Sequence, residues 1–194
     1  MTRILRYILQ HDTGMAPCID GGLVSLATCK PQIRKGANLG DWIIGCRPSP
    51  TGLGHVVWAG RLADSIEVGD YERLHRGRSD AIYRAKPGGG FKRLFPNYHA
   101  GENELRKDTS APVLVFDPDA TWYFGDKPQT LPDNLIHLAP QGRGHRVNEV
   151  KEGDAAALQA WLTSIAPPGI HGVPRDATPK KTRRCDLPNK LCSC

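Results

Sequence analysis

Short apolar runs separated by glycine and proline characterise the first third of the chain. Residues 4–9 predict a first strand, residues 23–27 a short apolar segment, residues 42–45 a buried strand, and residues 55–68 a long strand that bends at Gly60. Between them, Pro31 suits an early position in a turn or short helix. The pattern predicts antiparallel pairing around a curled sheet.

The second half of the chain combines predicted helices with predicted strands. A helix is expected at residues 70–75 with Asp70 as its cap, and another over residues 158–165, where apolar residues recur at helical spacing behind a cap at Asp154. Residues 113–116 and 121–124 predict two strands separated by a turn. Because the 21 Gly and 16 Pro argue against a helix bundle, the predicted class is α+β: a curled, mostly antiparallel sheet with a few helices and long loops.

Length and charge divide the chain into a body and a tail. The 194 residues, 39% of them hydrophobic, predict one globular domain over residues 1–167 and a basic, cysteine-containing, mobile tail over residues 168–194. The net charge is +6, and residues 173–194 carry +4 of it through six basic and two acidic side chains. A basic tail attracts polyanions, whereas the nearly neutral body is unlike a histone or a general DNA coat.

The sequence lacks features that several classes of protein require, and this argues against those classes. No run approaches the roughly 20 apolar residues of a membrane-spanning helix, so no membrane partner is expected, and residues 4–9 are too short for a signal-peptide core. The six cysteines form no CxxC pair, which favours free thiols in a reducing cytoplasm. Cys185, Cys192 and Cys194 would need a fourth ligand to bind zinc, so no metal site is predicted. The motifs of P-loop, dinucleotide-binding and serine-hydrolase sites are absent, and no cofactor is indicated.

Chemistry-bearing residues are densest just after the first strand, at residues 11–14. Histidine as a residue type titrates near neutrality, and Asp12 can orient the His11 ring, which permits general acid–base catalysis. Adjacent strand residues point to opposite faces, so the two act together only where the chain bends. A single His-Asp dipeptide is also compatible with no catalytic role.

A second group lies at residues 29–42. Lys30 and Arg34 are four positions apart, so they could hold a phosphate from one side of a short helix or form a solvated basic turn. Cys29 is expected as a small buried side chain rather than a nucleophile. Trp42 is expected in the core, although an indole at a pocket rim can stack on a base. The basic and aromatic stretch over residues 73–98 allows nucleotide binding, or is a solvated loop.

These two groups carry a resemblance to a known family. The segments HDTGMAPC and LATCKPQIRKGANLGDWIIG, followed by VVWAGRLADSIEVGDY, PVLVF and WYFG, resemble the nucleotide modification associated domain, type two, a family of bacterial and phage proteins. The resemblance covers residues 4–147 and leaves the tail outside. It implies a role in nucleotide or DNA modification, with nucleotide or DNA as ligand and base-modifying enzymes as further partners. The positions that match the family pattern are His11, Asp12, Thr13, Gly14, Cys29, Lys30, Pro31, Arg34, Gly40, Asp41 and Trp42. The Gly-Asp turn also resembles small β-barrels of the pseudouridine-synthase-associated (PUA/EVE-like) kind, which is a fold analogy alone.

The first functional hypothesis is a binding module that recognises a modified base or nucleotide in a pocket built around the HDTG, CKPxIR and GDW motifs. Trp42 or a neighbouring aromatic side chain would stack on the base, Lys30 and Arg34 would meet phosphate, and Asp12 or Asp41 would accept hydrogen bonds from the base edge. Thr13, Gly14 and Cys29 complete the nucleotide-binding set.

The alternative hypothesis is an enzyme of base modification. His11 would act as acid or base, Asp12 would orient it, and Lys30 with Arg34 would stabilise phosphate or a developing oxyanion. A scaffold that recruits a modifying enzyme is a third possibility. Removal of residues 173–194 is expected to weaken salt-sensitive DNA association and to leave recognition by the pocket intact.

Overall fold

The computed structural model describes residues 2–48, 54–96, 98–140 and 150–177. The strands are β1 (Ile4–Ile8), β2 (Ser25–Leu26), β3 (Trp42–Cys46), β4 (His55–Ile66), β5 (Tyr83–Ala85), β6 (Phe91–Arg93), β7 (Val113–Tyr123), β8 (Gln129–Thr130) and β9 (Gly169–Ile170). The helices are α1 (Pro31–Gly36), α2 (Val68–Leu74), α3 (Glu102–Asp108) and α4 (Asp154–Ile165), with 3₁₀ turns at Asp20–Gly22 and Asp133–Leu138.

A curled sheet in the order β1-β3-β4-β7-β2 forms a half-barrel, with β8 paired to β4 and β9 paired to β7. The β1–β3 and β7–β9 pairs are parallel and the other pairs are antiparallel. Strands β5 and β6 make a separate two-stranded hairpin. The α+β class with a curled, mostly antiparallel sheet is therefore confirmed. The likeness to PUA-type barrels stays a prediction.

Strand β7 differs from its prediction. The expected turn at residues 117–120 is wrong, because Val113–Tyr123 is one strand that pairs with β4 on both sides of these four residues. The pairing shifts register between Gly60 and Leu62 and again between Leu62 and Asp64. Within β7, the Thr121 hydroxyl donates to the Asp117 carbonyl at 2.6 Å. These irregularities bend the paired strands, so the Asp-Pro-Asp sequence marks curvature rather than a chain reversal.

Two predicted helix caps are also wrong. Helix α2 begins at Val68 with Glu67 as its N-cap, so Asp70 lies within the first turn. Helix α4 begins at Asp154 itself, and the cap is Gly153, with a φ of 89°. Asp154 instead accepts hydrogen bonds from the Lys151 amide at 2.6 Å and from His137 at 2.8 Å. In both helices an acidic side chain still lies near the positive N-terminal end.

The sheet has apolar side chains on both faces because successive strand residues alternate. On one face, Trp42 and Trp122 stack with ring centroids 6.2 Å apart, beneath Leu158 and Leu162 of α4. The opposite face contains Leu5, Tyr7, Trp58, Phe116 and Tyr123. That second core supports the cavity described below.

The C-terminal segment, residues 169–176, continues from β9 across the loop that follows β1. The Val173 amide donates to Asp126 Oδ1 at 3.0 Å, and Pro174 packs on Gly14, where a Cβ would come within 2.8 Å of the proline ring. Gly14 also has a φ of 77°, a conformation that favours glycine. The segment therefore contacts the loop after β1 at Asp12 and Gly14. Among the residues in the four described ranges, no helix has the length and apolarity that crossing a bilayer requires.

Candidate active site

A cavity of about 340 Å³ opens where the end of β1, the β2–α1 turn and the loop before α3 meet. Its lining residues are Leu9, Gln10, His11, Thr13, Ala16, Cys29, Lys30, Tyr98 and His99. The lining contains one thiol, one ammonium group and two imidazoles, and none of these nine residues is a carboxylate. Three of the predicted site residues with reactive side chains, His11, Cys29 and Lys30, therefore share one cavity.

Cys29 lies in a strained turn at the entrance to α1. Its φ is 57° and that of Lys30 is 42°, so two consecutive non-glycine residues adopt the left-handed region. Pro31 disfavours the right-handed helical conformation at Lys30, and it fits the first helical position itself. Each such residue costs about 1–3 kcal/mol, and this strain tends to occur at functional sites. The turn leaves the Cys29 thiol half-buried at the cavity wall.

His99 and Asp108 complete a chain of contacts with this thiol. The Sγ atom of Cys29 lies 3.6 Å from Nε2 of His99, and Nδ1 of His99 lies 2.6 Å from Oδ2 of Asp108. Asp108 is 1% exposed and also accepts hydrogen bonds from the Cys29 amide at 2.8 Å and the Tyr83 hydroxyl at 2.8 Å. This is the nucleophile, base and orienting acid arrangement of covalent catalysis.

The electrostatics of the pair favour a charged imidazole. The hydrogen bond to Asp108, reinforced by the contact with Cys29, raises the pKa of His99 to about 10. Burial alone would raise the pKa of Asp108, but the hydrogen bonds from His99, the Cys29 amide and Tyr83 outweigh it and leave that pKa lowered. At neutral pH, His99 is therefore an imidazolium beside the thiol, an environment that activates cysteine nucleophiles.

Tyr98 fixes the position of the imidazole from its other side. The rings of Tyr98 and His99 stack with centroids 4.2 Å apart and an interplanar angle of 9°. The Tyr98 hydroxyl lies 3.4 Å from Thr28 Oγ1, which connects this loop to the residue before Cys29. His99 itself has a φ of 49°, so both members of the Cys29–His99 pair occupy left-handed backbone conformations.

Lys30 supplies the ammonium group of the cavity. Its Nζ lies 4.7 Å from the centroid of the Tyr7 ring, a cation–π contact. The Tyr7 ring is 2% exposed, and its hydroxyl accepts a hydrogen bond from Trp58 Nε1 at 2.9 Å. Burial lowers the pKa of Lys30. Among the described residues, no carboxylate forms an ion pair with it.

Arg34 lies on the inner side of α1, 1% exposed. Its guanidinium donates to the carbonyls of Pro112 at 2.8 Å, Asp108 at 2.7 Å and Ala111 at 2.5 Å, and more weakly to Cys29 at 3.4 Å. Burial lowers its pKa to about 10, so the group stays charged at neutral pH. Arg34 thus joins the Cys29 turn to the loop that follows α3. Because its donors are directed at backbone carbonyls, Arg34 is not one of the phosphate contacts that we propose below.

His11 and Asp12 separate after β1. His11 lines the cavity, whereas Asp12 is buried outside it, where both carboxylate oxygens accept hydrogen bonds from the Tyr123 hydroxyl at 2.8 Å. The Arg175 amide donates to Asp12 Oδ2 at 3.3 Å, and the Asp12 amide donates to Asp176 Oδ2 at 2.9 Å. Burial raises the pKa of Asp12, although these hydrogen bonds oppose the shift. The structure thus gives Asp12 contacts that hold the cavity wall.

The remaining predicted residues are divided between two places. Thr13 lines the cavity, and Gly14 supports its wall by contact with Pro174. The GDW motif lies elsewhere: Asp41 pairs with Arg3 at 2.5 Å, and Trp42, 2% exposed, lies beside a different cavity of about 660 Å³. The structure therefore brings the HDTG and CKP motifs together and leaves the GDW motif apart.

Sequence reasoning did not select His99 and Asp108 as site residues. His99 is 70 positions and Asp108 79 positions from Cys29, and neither lies in a recognisable motif. Tyr98 is the last residue of the basic and aromatic stretch over residues 73–98, for which the sequence allows nucleotide binding or a solvated loop. The single local signal is the Tyr-His dipeptide ahead of a short polar helix, which is too common to identify a site.

The match to a family model decides the family. The model described as nucleotide modification associated domain 2 matches residues 1–181 of the 194-residue chain. The chain belongs to this family. Nucleotide modification associated domain 2 accompanies nucleotide modification systems, and the match extends past the cavity to include the whole C-terminal segment. Searches of curated proteins and of solved structures found no match.

Proposed function

We propose that the chain is a thiol-dependent enzyme of nucleotide modification, in which Cys29 is the nucleophile, His99 the general acid and base, and Asp108 the orienting carboxylate. The observation that carries the proposal is the continuous contact from Cys29 Sγ through the His99 ring to buried Asp108 at the wall of a cavity. The family association supplies the class of pathway. Free cysteines in a reducing cytoplasm would keep this thiol available.

The chemistry of such a site is covalent group transfer. The Cys29 thiolate attacks an electrophilic carbon of the substrate and forms a carbon–sulfur bond, while the His99 imidazolium gives its Nε2 proton to the leaving group. The neutral imidazole then takes a proton from a second nucleophile, water or an amine, which displaces the sulfur and regenerates the thiolate. Asp108 keeps the Nδ1 proton in place, so that Nε2 faces the thiol throughout.

We propose a nucleotide or a nucleotide-like group as the ligand of this cavity. Small-molecule sites occupy about 300–1,000 Å³, so a cavity of about 340 Å³ suits one nucleotide unit. His11, Thr13 and Gln10 place polar atoms along one wall, where they can contact sugar or base. Trp42 is not part of this proposal, because its indole packs on Trp122 in the core.

A nucleotide-binding module without chemistry is the second candidate, and one observation favours it. The ammonium group of Lys30 faces a cavity whose lining has no carboxylate, which is suitable for holding a nucleotide whether or not it reacts. Such a module would read a modified base for a partner enzyme, as the family association permits.

Replacing Cys29 by serine separates the two candidates. If the chain is an enzyme, we expect Cys29→Ser to lower product formation about 10³-fold or more, because the nucleophile is lost, while nucleotide binding is largely kept. The measurement is nucleoside mass spectrometry of DNA and of the nucleotide pool from bacteria that express each variant.

The matched control for this experiment is Cys18→Ser, since Cys18 is a fully buried thiol outside the cavity. Equal product from wild type and Cys29→Ser would show that Cys29 is not the nucleophile. A wild-type chain that binds nucleotide and forms no product would support the binding module instead.

Two truncations test the roles of the C-terminal region. Residues 178–194 contain five basic and one acidic side chain. A chain ending at Ala177 is therefore expected to show a weaker salt dependence of DNA association, with a slope smaller by about 3 to 4.

A chain ending at Gly172 also loses the Arg175 and Asp176 contacts with Asp12. This loss is expected to lower the free energy of unfolding by a further amount of about 1–3 kcal/mol.

Fluorescence anisotropy across a salt series measures the first effect, and urea denaturation the second. Identical urea midpoints for the two truncated chains would show that the C-terminal segment does not support the cavity wall. An unchanged salt slope would show that the basic residues do not contact DNA.

A further inference from the structure

The ammonium group of Lys30 is held beside the Cys29 thiol by the architecture of the second core. The positive φ of Lys30 and the following Pro31 fix where its side chain starts. The ring of Tyr7 receives the ammonium at 4.7 Å, and the Trp58 indole holds Tyr7 through a hydrogen bond at 2.9 Å. The ammonium therefore contacts an aromatic face, which attracts a cation and leaves its charge unneutralised.

The cavity lining holds a second positive group. The imidazolium of His99 lies on the same lining, while its partner Asp108 is 1% exposed and does not line the cavity. Arg34, the other cation of the CKPxIR motif, is directed toward backbone carbonyls. Lys30 is thus the cation of this motif that can meet a ligand, in a half-buried position where charge–charge attraction is only partly screened.

We infer that Lys30 is an anion-binding residue that makes the Cys29 cavity select a phosphate-bearing substrate over a neutral nucleoside. The inference rests on the proposed function, since it assigns the substrate class of that same site. One phosphate oxygen would accept a charge-assisted hydrogen bond from Lys30 Nζ, which places the electrophilic carbon of the same nucleotide within reach of Cys29. The phosphate can belong to a free mononucleotide or to a nucleotide in a DNA strand.

The charge of the alkylating reagent gives a direct test. Iodoacetate is an anion and iodoacetamide is neutral, and both attack the same thiolate. The ratio of their rate constants at Cys29 therefore reports the local potential and cancels any change in the thiolate population. Both rate constants are obtained by mass spectrometry of the peptide that contains Cys29.

The expected result is a fall in this ratio of about fivefold in Lys30→Met, because the reagent anion loses its attracting cation. Lys30→Arg should keep the ratio high. The matched control is Lys35→Met, which removes an exposed lysine of the same helix that does not line the cavity, and its ratio should stay within about twofold of wild type.

A ratio that Lys30→Met leaves unchanged would overturn the inference, even if Cys29 reacts rapidly with both reagents. Slow reaction of Cys29 with both reagents, combined with a ratio that still depends on Lys30, would instead count against the proposed nucleophile and leave the anion site standing. The two proposals thus fail in different ways.

Protection of Cys29 from iodoacetamide identifies the anion. The probes are the four deoxynucleoside monophosphates, the four deoxynucleosides and a short single-stranded oligonucleotide of mixed sequence. We expect protection by a phosphate-bearing probe and none by nucleosides. Protection by monophosphates indicates a free nucleotide, and protection by the oligonucleotide alone indicates a nucleotide in DNA. Equal protection by nucleosides, or no protection by either phosphate-bearing probe, would refute the phosphate assignment.

Discussion

Replacing His99 by alanine is expected to slow the alkylation of Cys29 by iodoacetamide about tenfold at pH 7. In wild type, the imidazolium lies 3.6 Å from Sγ, where its positive charge assists nucleophilic attack by the sulfur. Without that charge, Cys29 is expected to react as an ordinary cysteine, which accounts for a loss of about tenfold. The rate is measured on the peptide that contains Cys29.

The control for this experiment is His55→Ala, a histidine at the start of β4 that does not line the cavity. Its alkylation rate should equal that of wild type. If His99→Ala also reacts at the wild-type rate, the contact between His99 and Cys29 has no chemical consequence and the proposed enzyme loses its base.

The stability that the His99–Asp108 pair gives the folded chain depends on pH. The pKa of His99 in the folded chain is about 10, above its ordinary value of 6.5. The stabilisation it gains from Asp108 is therefore complete below about pH 6.5 and is lost as the pH rises through 10. The difference in Tm between wild type and His99→Ala should shrink over this interval.

Replacing Arg34 by methionine is expected to lower the free energy of unfolding by about 3 to 5 kcal/mol. The guanidinium is 1% exposed and donates to the carbonyls of Asp108, Ala111 and Pro112. Methionine fills part of the space but leaves these buried carbonyls without their donors. Chemical denaturation measures the loss.

Arg73→Met provides the comparison, because its side chain is 65% exposed in an i,i+3 pair with Asp70. An exposed pair of this kind contributes about 0.3–0.5 kcal/mol. Arg34→Lys keeps the charge with fewer donors and should lie between the two. Equal losses for Arg34→Met and Arg73→Met would mean that the carbonyl contacts of Arg34 add nothing to stability.

The strands that were predicted correctly can be recognised from the pattern of a few neighbouring residues. Residues 4–9 and 42–45 are apolar runs bounded by polar or glycine residues, and they form β1 and β3. The start of α1 follows from Pro31, whose ring fixes φ and removes a donor. By contrast, β7 continues past an Asp-Pro-Asp sequence because β4 pairs with it on both sides, at Phe116 and at Thr121. Tertiary contacts of that kind are not visible in local composition.

In the candidate site, too, residues of one motif could be predicted, whereas contacts between distant residues could not. Cys29 and Lys30 were selected because they fall in one motif, and the structure places both at one cavity. The expectation of Cys29 as a small buried side chain relied on the usual behaviour of free cysteine. The partners that suggest another role, His99 and Asp108, are distant from it in the sequence. His99 and Asp108 reach Cys29 only when α3 and the loop before it fold against α1. A pattern confined to neighbouring residues cannot reveal such a contact.

The layer beneath Lys30 affects how this protein can change over generations. Phe116 contacts the Trp58 indole edge-on with centroids 4.9 Å apart, Trp58 donates to the Tyr7 hydroxyl, and the Tyr7 ring contacts the ammonium. Core side chains and ligand-facing side chains are thus successive members of one series. A substitution that is neutral for folding at Phe116 or Trp58 can still displace the cation, so mutational tolerance at these interior positions is limited by substrate choice as well as by stability.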